Sequence, residues 1–374
     1  MEMEEARRKR DRKGDSEVGA ASRKKIDPVV EELRKQRLAE IRQRQKEEDE
    51  KYWALFPNED LSDRLAIKSI EYRRQYEFLW ASFFGPFDRK TPIPHMRFTA
   101  GPVPTDARVE DTLQIFSVKV KETRRGLQWP LHVFGIIAAR DCIDHNRNII
   151  FSRERDNCQI LTQEDPFLSL TGPTRAVVVC DPVHFEVALK VKGSIESEDK
   201  DLSLFTVPLT GADEFLYTRL INKDYTSRLS TVELSFGYIV GSVEATITVR
   251  ITEGSWPDGF HGKFTARTSS LGCNKIILLD SRGEKMTVND DGMIDLSRCV
   301  ASVEFEGELI VSVMALVRDE DEDELTIIGG DEKNFTPKNA GESTDELNVG
   351  FCKMDITVFW SLISLVPPAG PRPT

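Results

Sequence analysis

Side chains that perform chemistry are scarce here. The 374 residues include five His and six Cys. No Cys-x-x-Cys occurs, and Cys142 and Cys158, the nearest pair, stand sixteen positions apart. A zinc site needs close ligand pairs, so that spacing argues against zinc. His95, His132, His145, His184 and His261 show no ligand spacing either. Gly-x-Ser-x-Gly, His-Glu-x-x-His and the Gly-rich phosphate loop are all missing, which removes three common catalytic and nucleotide-binding signatures. No apolar run approaches the ~20 residues of a membrane-spanning helix. The longest, Ile356 to Val366, covers eleven. The opening Met-Glu-Met-Glu-Glu turns from acidic to basic without an apolar stretch, so no secretory signal and no membrane partner are expected. A cytoplasmic or nuclear compartment follows, in which the six cysteines would stay free, mostly buried thiols.

Basic charge is also short. There are 51 Lys and Arg against 63 Asp and Glu, a net charge of −12. Up to Pro104 the count is 23 basic and 20 acidic; beyond it 28 and 43, a balance of −15. An acidic body of this kind disfavours nucleic acid as a partner. The basic residues cluster near the start, and Lys9-Arg10, twelve residues, then Arg23-Lys24-Lys25 has the form of a bipartite nuclear import signal. Two basic anchors on a flexible spacer can reach two acidic pockets of a carrier.

Composition divides the chain. Residues 1–26 hold almost no large apolar side chain, cannot offset their ordering entropy, and are expected to be a disordered tail. Residues 27–84 read as a charged helical extension. Asp27-Pro28 is a helix start, and Val30, Leu33, Leu38 and Ile41 recur at helical spacing to about Lys51. A second helix is expected over Leu61 to Phe84, whose aromatic side (Tyr72, Tyr76, Trp80 and Phe83) would dock on the chain's own body or on a protein partner. Five prolines within residues 85–104 predict a stiff linker.

Period-two alternation dominates residues 105–366. Val232, Leu234, Phe236, Tyr238 and Val240 face one way, and Val243, Ala245, Ile247, Val249 and Ile251 repeat the pattern. Such strands have one dry and one wet face, the habit of antiparallel sheets. About a dozen short strands without intervening helices predict an all-β main domain, an antiparallel β-sandwich with Greek-key-like links. Gly254–Gly259 and Asn289–Gly292 mark turns. The region is long for one sandwich; two could meet near Asp201–Arg228, but without self-similarity between halves one domain is preferred. The six-residue acidic run from Asp319, with the polar stretch to Glu346, predicts a disordered loop over residues 319–346. Residues 367–374 form a tail.

Candidate chemistry is weighed against turn-capping and strand-face roles. Asp144-His145-Asn146-Arg147-Asn148 imitates the start of a calcium loop, but its sixth and twelfth places, Ile149 and Arg155, fail the requirement for Gly and Glu. No metal, cofactor or catalytic residue is therefore assigned.

A set of specific segments carries a family resemblance: Leu127-Gln128-Trp129-Pro130, Arg155-Asp156-Asn157-Cys158, Thr171-Gly172-Pro173-Thr174-Arg175, Asp181-Pro182-Val183-His184-Phe185-Glu186 and Asp291-Gly292-Met293-Ile294-Asp295-Leu296. Together they resemble an uncharacterised domain family expanded in grasses, over about Leu113 to Leu365. The resemblance implies no established activity. Some relatives are linked to ribosome-inactivating, jasmonate-induced plant proteins, which implies a stress or defence setting. An rRNA N-glycosylase needs Glu-Ala-x-x-Arg; Glu244-Ala245-Thr246-Ile247-Thr248-Val249-Arg250 begins that way, but Arg arrives two places late. The expected function is a non-enzymatic β-sandwich module that binds a protein partner. The alternative is an RNA- or glycan-acting hydrolase.

Overall fold

Apolar side chains at every second position drive the chain into pleated sheets. In the computed structural model the described residues are 63–179, 182–210, 217–281, 286–318 and 325–368, with scattered positions between 32 and 54. The chain divides into two compact units, Met1–Asn58 and Glu59–Thr374. In the first, the described positions are helical and exposed. Gln43 donates to Glu47 at 2.8 Å and Lys46 lies 3.9 Å from Glu50. Four-residue pairs of this kind support a solvated helix by a few tenths of a kcal/mol each, about 0.3.

The second unit opens with helices α1 (Arg64–Leu79) and α2 (Ala81–Phe84). Sixteen strands follow among the described residues: β1 (Glu110–Thr123), β2 (Leu131–Arg140), β3 (Asn148–Arg153), β4 (Gln159–Leu161), β5 (Val177–Val178), β6 (Val183–Val191), β7 (Lys200–Leu209) and β8 (Arg219–Thr226). They continue with β9 (Ser230–Gly254), β10 (His261–Thr268), β11 (Ile276–Asp280), β12 (Val300–Glu304), β13 (Leu309–Arg318), β14 (Leu325–Phe335), β15 (Ala340–Asn348) and β16 (Cys352–Ser361). A seven-stranded sheet runs β15-β16-β9-β1-β5, with β8 and β12 also on β9. A second sheet is ordered β3-β2-β6-β7 with β4 on β2, and a third β11-β10-β13-β14. Strands cross between sheets, as β12 does before β13 returns to β10, and all the named pairs are antiparallel.

β9 ties the halves together. Its even residues Val232, Leu234, Phe236 and Tyr238 enter one core with β2, β3, β6 and β7. Its odd residues Val243, Ala245, Ile247 and Val249 enter another with β10, β11, β13 and β16. At the changeover β1 advances two residues (Glu110 to Thr112) while β9 advances three (Ser242 to Ile239), a bulge. Gly241 there has φ +55°, a conformation that favours glycine. The main domain is thus an antiparallel β-sandwich with two cores sharing one strand. The meeting point is this bulge and not Asp201–Arg228, a stretch that holds most of β7 and all of β8.

Three expectations are corrected. Residues 85–104 are no free linker: Phe87 and Ile93 are buried, Thr91 N–H donates to the Arg147 carbonyl at 3.0 Å, and the Thr99 hydroxyl donates to the Trp360 carbonyl at 2.9 Å. Prolines deny donors within the stretch, but the residues between them bond to the body. The domain boundary therefore falls well before residue 105. Second, residues 325–348 are mostly strand, β14 pairing with β13 and β15 with β16. Their charged side chains alternate on a wet face, which reads as loop when the partner strands are unseen; residues 319–324 lie outside the described residues. Third, Cys142 is disulfide-bonded, whereas Cys158, Cys273, Cys299 and Cys352 are free. A loop position between Asp141 and Ile143 gave no spacing from which to read that bond.

Candidate functional site

The aromatic arm is the first candidate. α1 ends at Trp80, and Gly85 at φ +93° turns the chain after α2. The docked side of α1 runs Leu65, Ser69, Tyr72 and Tyr76. Leu65 packs against the first core, and the Ser69 and Thr206 hydroxyls lie 2.9 Å apart. The Tyr72 ring lies 4.4 Å from His184, and Tyr76 meets Phe87 edge-on at 5.3 Å. The Tyr76 hydroxyl donates to Asn146 at 3.0 Å, and Trp80 stacks on His145 at 4.1 Å. Tyr72, Tyr76 and Trp80 are therefore occupied by the chain's own body and are withdrawn as partner contacts. Phe83 remains 74% exposed, beside Phe78 at 86%. The import candidates Lys9, Arg10, Arg23, Lys24 and Lys25 lie outside the described residues.

Beneath the arm lies a buried ionic network. Glu186 accepts from Arg140 at 2.7 Å and from Arg147 at 2.5 Å, and Arg147 also reaches Asp88 at 2.7 Å. Arg175 donates to Asp141 at 2.6 Å and to Asp144 at 3.2 Å, while the Thr91 hydroxyl donates to Asp144 at 2.6 Å. Asp144, at the head of the calcium-like motif, and Asp141, three residues before it, thus hold a guanidinium. Burial pushes His184 down to about 4, helped by His145 and Arg140. It lowers His145 as well, against the pull of Asp141 and Asp144, and raises Tyr72 to about 12. Perturbed groups often mark catalysis, but here they are packed under α1 or into ion pairs.

Glu244 likewise serves structure. Its carboxylate accepts from the backbone N–H of Met96 and of Ala176, each at 2.8 Å. Burial raises its pKa against those two donors. Arg250, six residues along β9 and so about 20 Å away in extended chain, pairs with Asp291 at 3.7 Å. The Glu and Arg that an N-glycosylase brings together are far apart.

The second candidate is a cleft at one end of the second core. The turns Gly254–Gly259 and Asn289–Gly292, far apart in sequence, line it together. Its volume is about 760 Å³, within the range of ligand sites. Trp256 and Phe260 form an aromatic wall, Ile251, Met286 and Val288 add apolar surface, and Asp258, Asp290 and Asp291 supply carboxylates. Trp256 Nε1 donates to the Phe260 carbonyl at 3.0 Å, and its ring meets Phe351 edge-on at 5.4 Å, which fixes the indole. Asp291 is oriented by accepting the Met293 N–H at 3.1 Å. No three His, Cys, Asp or Glu side chains form a metal-ligand set among the described residues.

A family model for a domain of unknown function, DUF6598, matches residues 112–358. The chain belongs to the DUF6598 family. The DUF6598 match opens in β1 and closes in β16, so it takes in the cleft and leaves α1, α2 and residues 85–104 outside. No curated protein matches this DUF6598 sequence. Among solved structures, human GIVD cytosolic phospholipase A2 aligns at TM-score 0.22 and 9% identity, over 70% of this chain and 33% of that one. The paired C2 domains of Extended-Synaptotagmin 2 align at 0.22 and 9%, over 74% and 99%. The chain thus spans about a third of the phospholipase, and similarity this low assigns neither fold nor activity. No helix of the described residues is long and apolar enough to cross a membrane.

Sequence reasoning named both cleft turns but not their aromatic side chains. The available signal was Trp256 and Phe260 set among Gly and Pro in a loop, where large aromatics have no strand face to fill.

Proposed function

We propose that this DUF6598 protein is a non-enzymatic binding module that seats a segment of a protein partner in the loop cleft, within plant stress or defence. The cleft itself carries the reading: a fixed aromatic wall faces a rim of acceptors, an arrangement suited to holding and orienting a ligand. The described lining residues include no His and no Cys. The family resemblance supports the stress setting.

The test compares proteins retained from grass seedling extract by the full chain, by Trp256→Ala with Phe260→Ala, and by Phe78→Ser with Phe83→Ser. Partners lost only with the first pair support the cleft. Loss only with the second pair moves the site to the arm, and identical profiles overturn both. Ribosomes incubated with the chain should release no adenine above background; release abolished by Glu244→Gln would establish the hydrolase instead.

The proposal includes a cytoplasmic or nuclear compartment. A fluorescent fusion lacking residues 1–26 should lose nuclear signal there. Thiols trapped before lysis should include Cys142, because a reducing compartment opens disulfides it can reach. A Cys142 that stays oxidised in cells would argue for an oxidising compartment.

A further inference from the structure

We infer that the partner segment taken by the cleft is basic, an extended stretch presenting Arg or Lys side chains; this rests on the binding reading above. Among the described lining residues, Asp258, Asp290 and Asp291 provide carboxylates, and no Lys, Arg or His is present. All three stand on exposed loop ends. An anionic ligand, whether phosphate, nucleic acid or acidic headgroup, would meet like charge on that rim. A neutral ligand would desolvate carboxylates with no counter-charge in return.

The aromatic wall points the same way. The Trp256 N–H is committed to the Phe260 carbonyl, so the indole offers a ligand its ring surface and not a donor. A guanidinium or ammonium is the group that such a surface attracts beyond mere area. Ile251, Met286 and Val288 supply apolar surface on which the methylene stem of Arg or Lys can lie while its head reaches the rim. Asp291 already has one guanidinium near it, Arg250 at 3.7 Å. That pair is half exposed and loose, a contact of small net worth that a ligand can replace.

Two further observations set the size and reach of the ligand. A volume of about 760 Å³, open to solvent, accommodates several side chains and not a single small cation. The balance of −15 beyond Pro104 adds a long-range field that speeds the approach of a basic chain and repels an acidic one.

The experiment uses the full chain with four probes: fluorescein-labelled twelve-residue peptides of alternating Arg–Ser, Glu–Ser and Gly–Ser, and spermidine as unlabelled competitor. Anisotropy is read in low and high salt, with thermal melts confirming that every variant folds. The Arg–Ser peptide should bind saturably, weaken with salt, and weaken about tenfold further in Asp290→Asn with Asp291→Asn. Asp345→Asn with Glu346→Gln removes the same charge from exposed positions on β15 and should leave binding unchanged. Equal weakening by both pairs would show general charge attraction and overturn the site. Spermidine displacing the peptide at equal concentration would replace a peptide ligand with a small polyamine and overturn the assignment. Saturable binding of the Glu–Ser or Gly–Ser peptide, sensitive to Trp256→Ala, would overturn the basic class yet leave the binding function standing. If no probe binds and extract partners are indifferent to the cleft, both readings fall.

Discussion

Glu186 holds two guanidinium groups, and its burial decides what that is worth. Arg140 and Glu186 have 0% and 5% of their side chains exposed. Removing one partner there leaves a charge with neither water nor counter-ion, at about 3–5 kcal/mol. Glu186→Ala should therefore shift the urea midpoint strongly. Arg108 is as close to its partner Glu110, 2.6 Å, but is 69% exposed; Arg108→Ala should leave the midpoint where it was. Equal shifts would mean that distance, not desolvation, sets the energy. Arg298 is the converse case. It is buried, donates to the Ile115 and Phe116 carbonyls at 2.6 and 3.5 Å, and leaves its Nε without a partner. Burial pushes it down to about 10. Arg298→Met keeps the bulk and removes the desolvated charge, so denaturation should show neutral to higher stability, up to about 2 kcal/mol. None of this was visible in the sequence. Arg140 and Glu186 are 46 positions apart, and an ion pair without local spacing leaves no periodic trace.

At the scale of elements, α1 is attached through two imidazoles that resist protonation. His145 faces Trp80 and Phe84 from the arm, with Asp141, Asp144 and Arg140 around it. His184 faces Tyr72, with Arg140 and His145 nearby. A docked-state pKa below the ordinary 6.5 means that the released state binds protons more readily. Docking is therefore fully present above pH 6.5 and weakens as pH falls towards 4, the His184 value. After discount for partial exposure the loss is about 2 kcal/mol. Trp80 emission, followed in a variant retaining only that tryptophan, should change as the ring leaves His145 over this window. His145→Gln with His184→Gln should flatten the response. A titration unchanged by that pair would place the sensitivity elsewhere. The helix itself was legible because Tyr72, Tyr76 and Trp80 recur at helical spacing. Its docked side was misjudged at the end: Phe83, counted with the face, lies after the break at Trp80 and points to solvent. β14 and β15 were missed for a related reason. Runs such as Asp331-Glu332-Lys333 form strand through their pairing with β13, which only the fold reveals.

At the scale of the molecule, the question left open by the sequence, one domain or two, turns on β9. The alternation was readable, and so was its change from even residues ending at Val240 to odd ones starting at Val243. The meaning of that change was not, because a bulge is defined by the opposing strand. With 25 residues, β9 supplies a wall to each core, and neither core closes without it. Losing either half strips β9 of partners on that side and exposes its backbone donors and acceptors. Unfolding should therefore be one cooperative event. Trp129 packs against the first core and Trp360 lies within the second, so variants retaining one or the other report each half separately. Their urea transitions should coincide in midpoint and slope. Cutting the connection at the bulge makes the complementary test. Replacing Val240-Gly241-Ser242 with a flexible linker of six Gly and Ser residues breaks the strand's continuity while keeping both halves present. The two tryptophan transitions should then separate, with the lower midpoint falling below that of the intact chain. Coincidence after this insertion would mean that side-chain packing such as Phe116, which leaves β1 to join the second core, couples the halves more strongly than the shared strand.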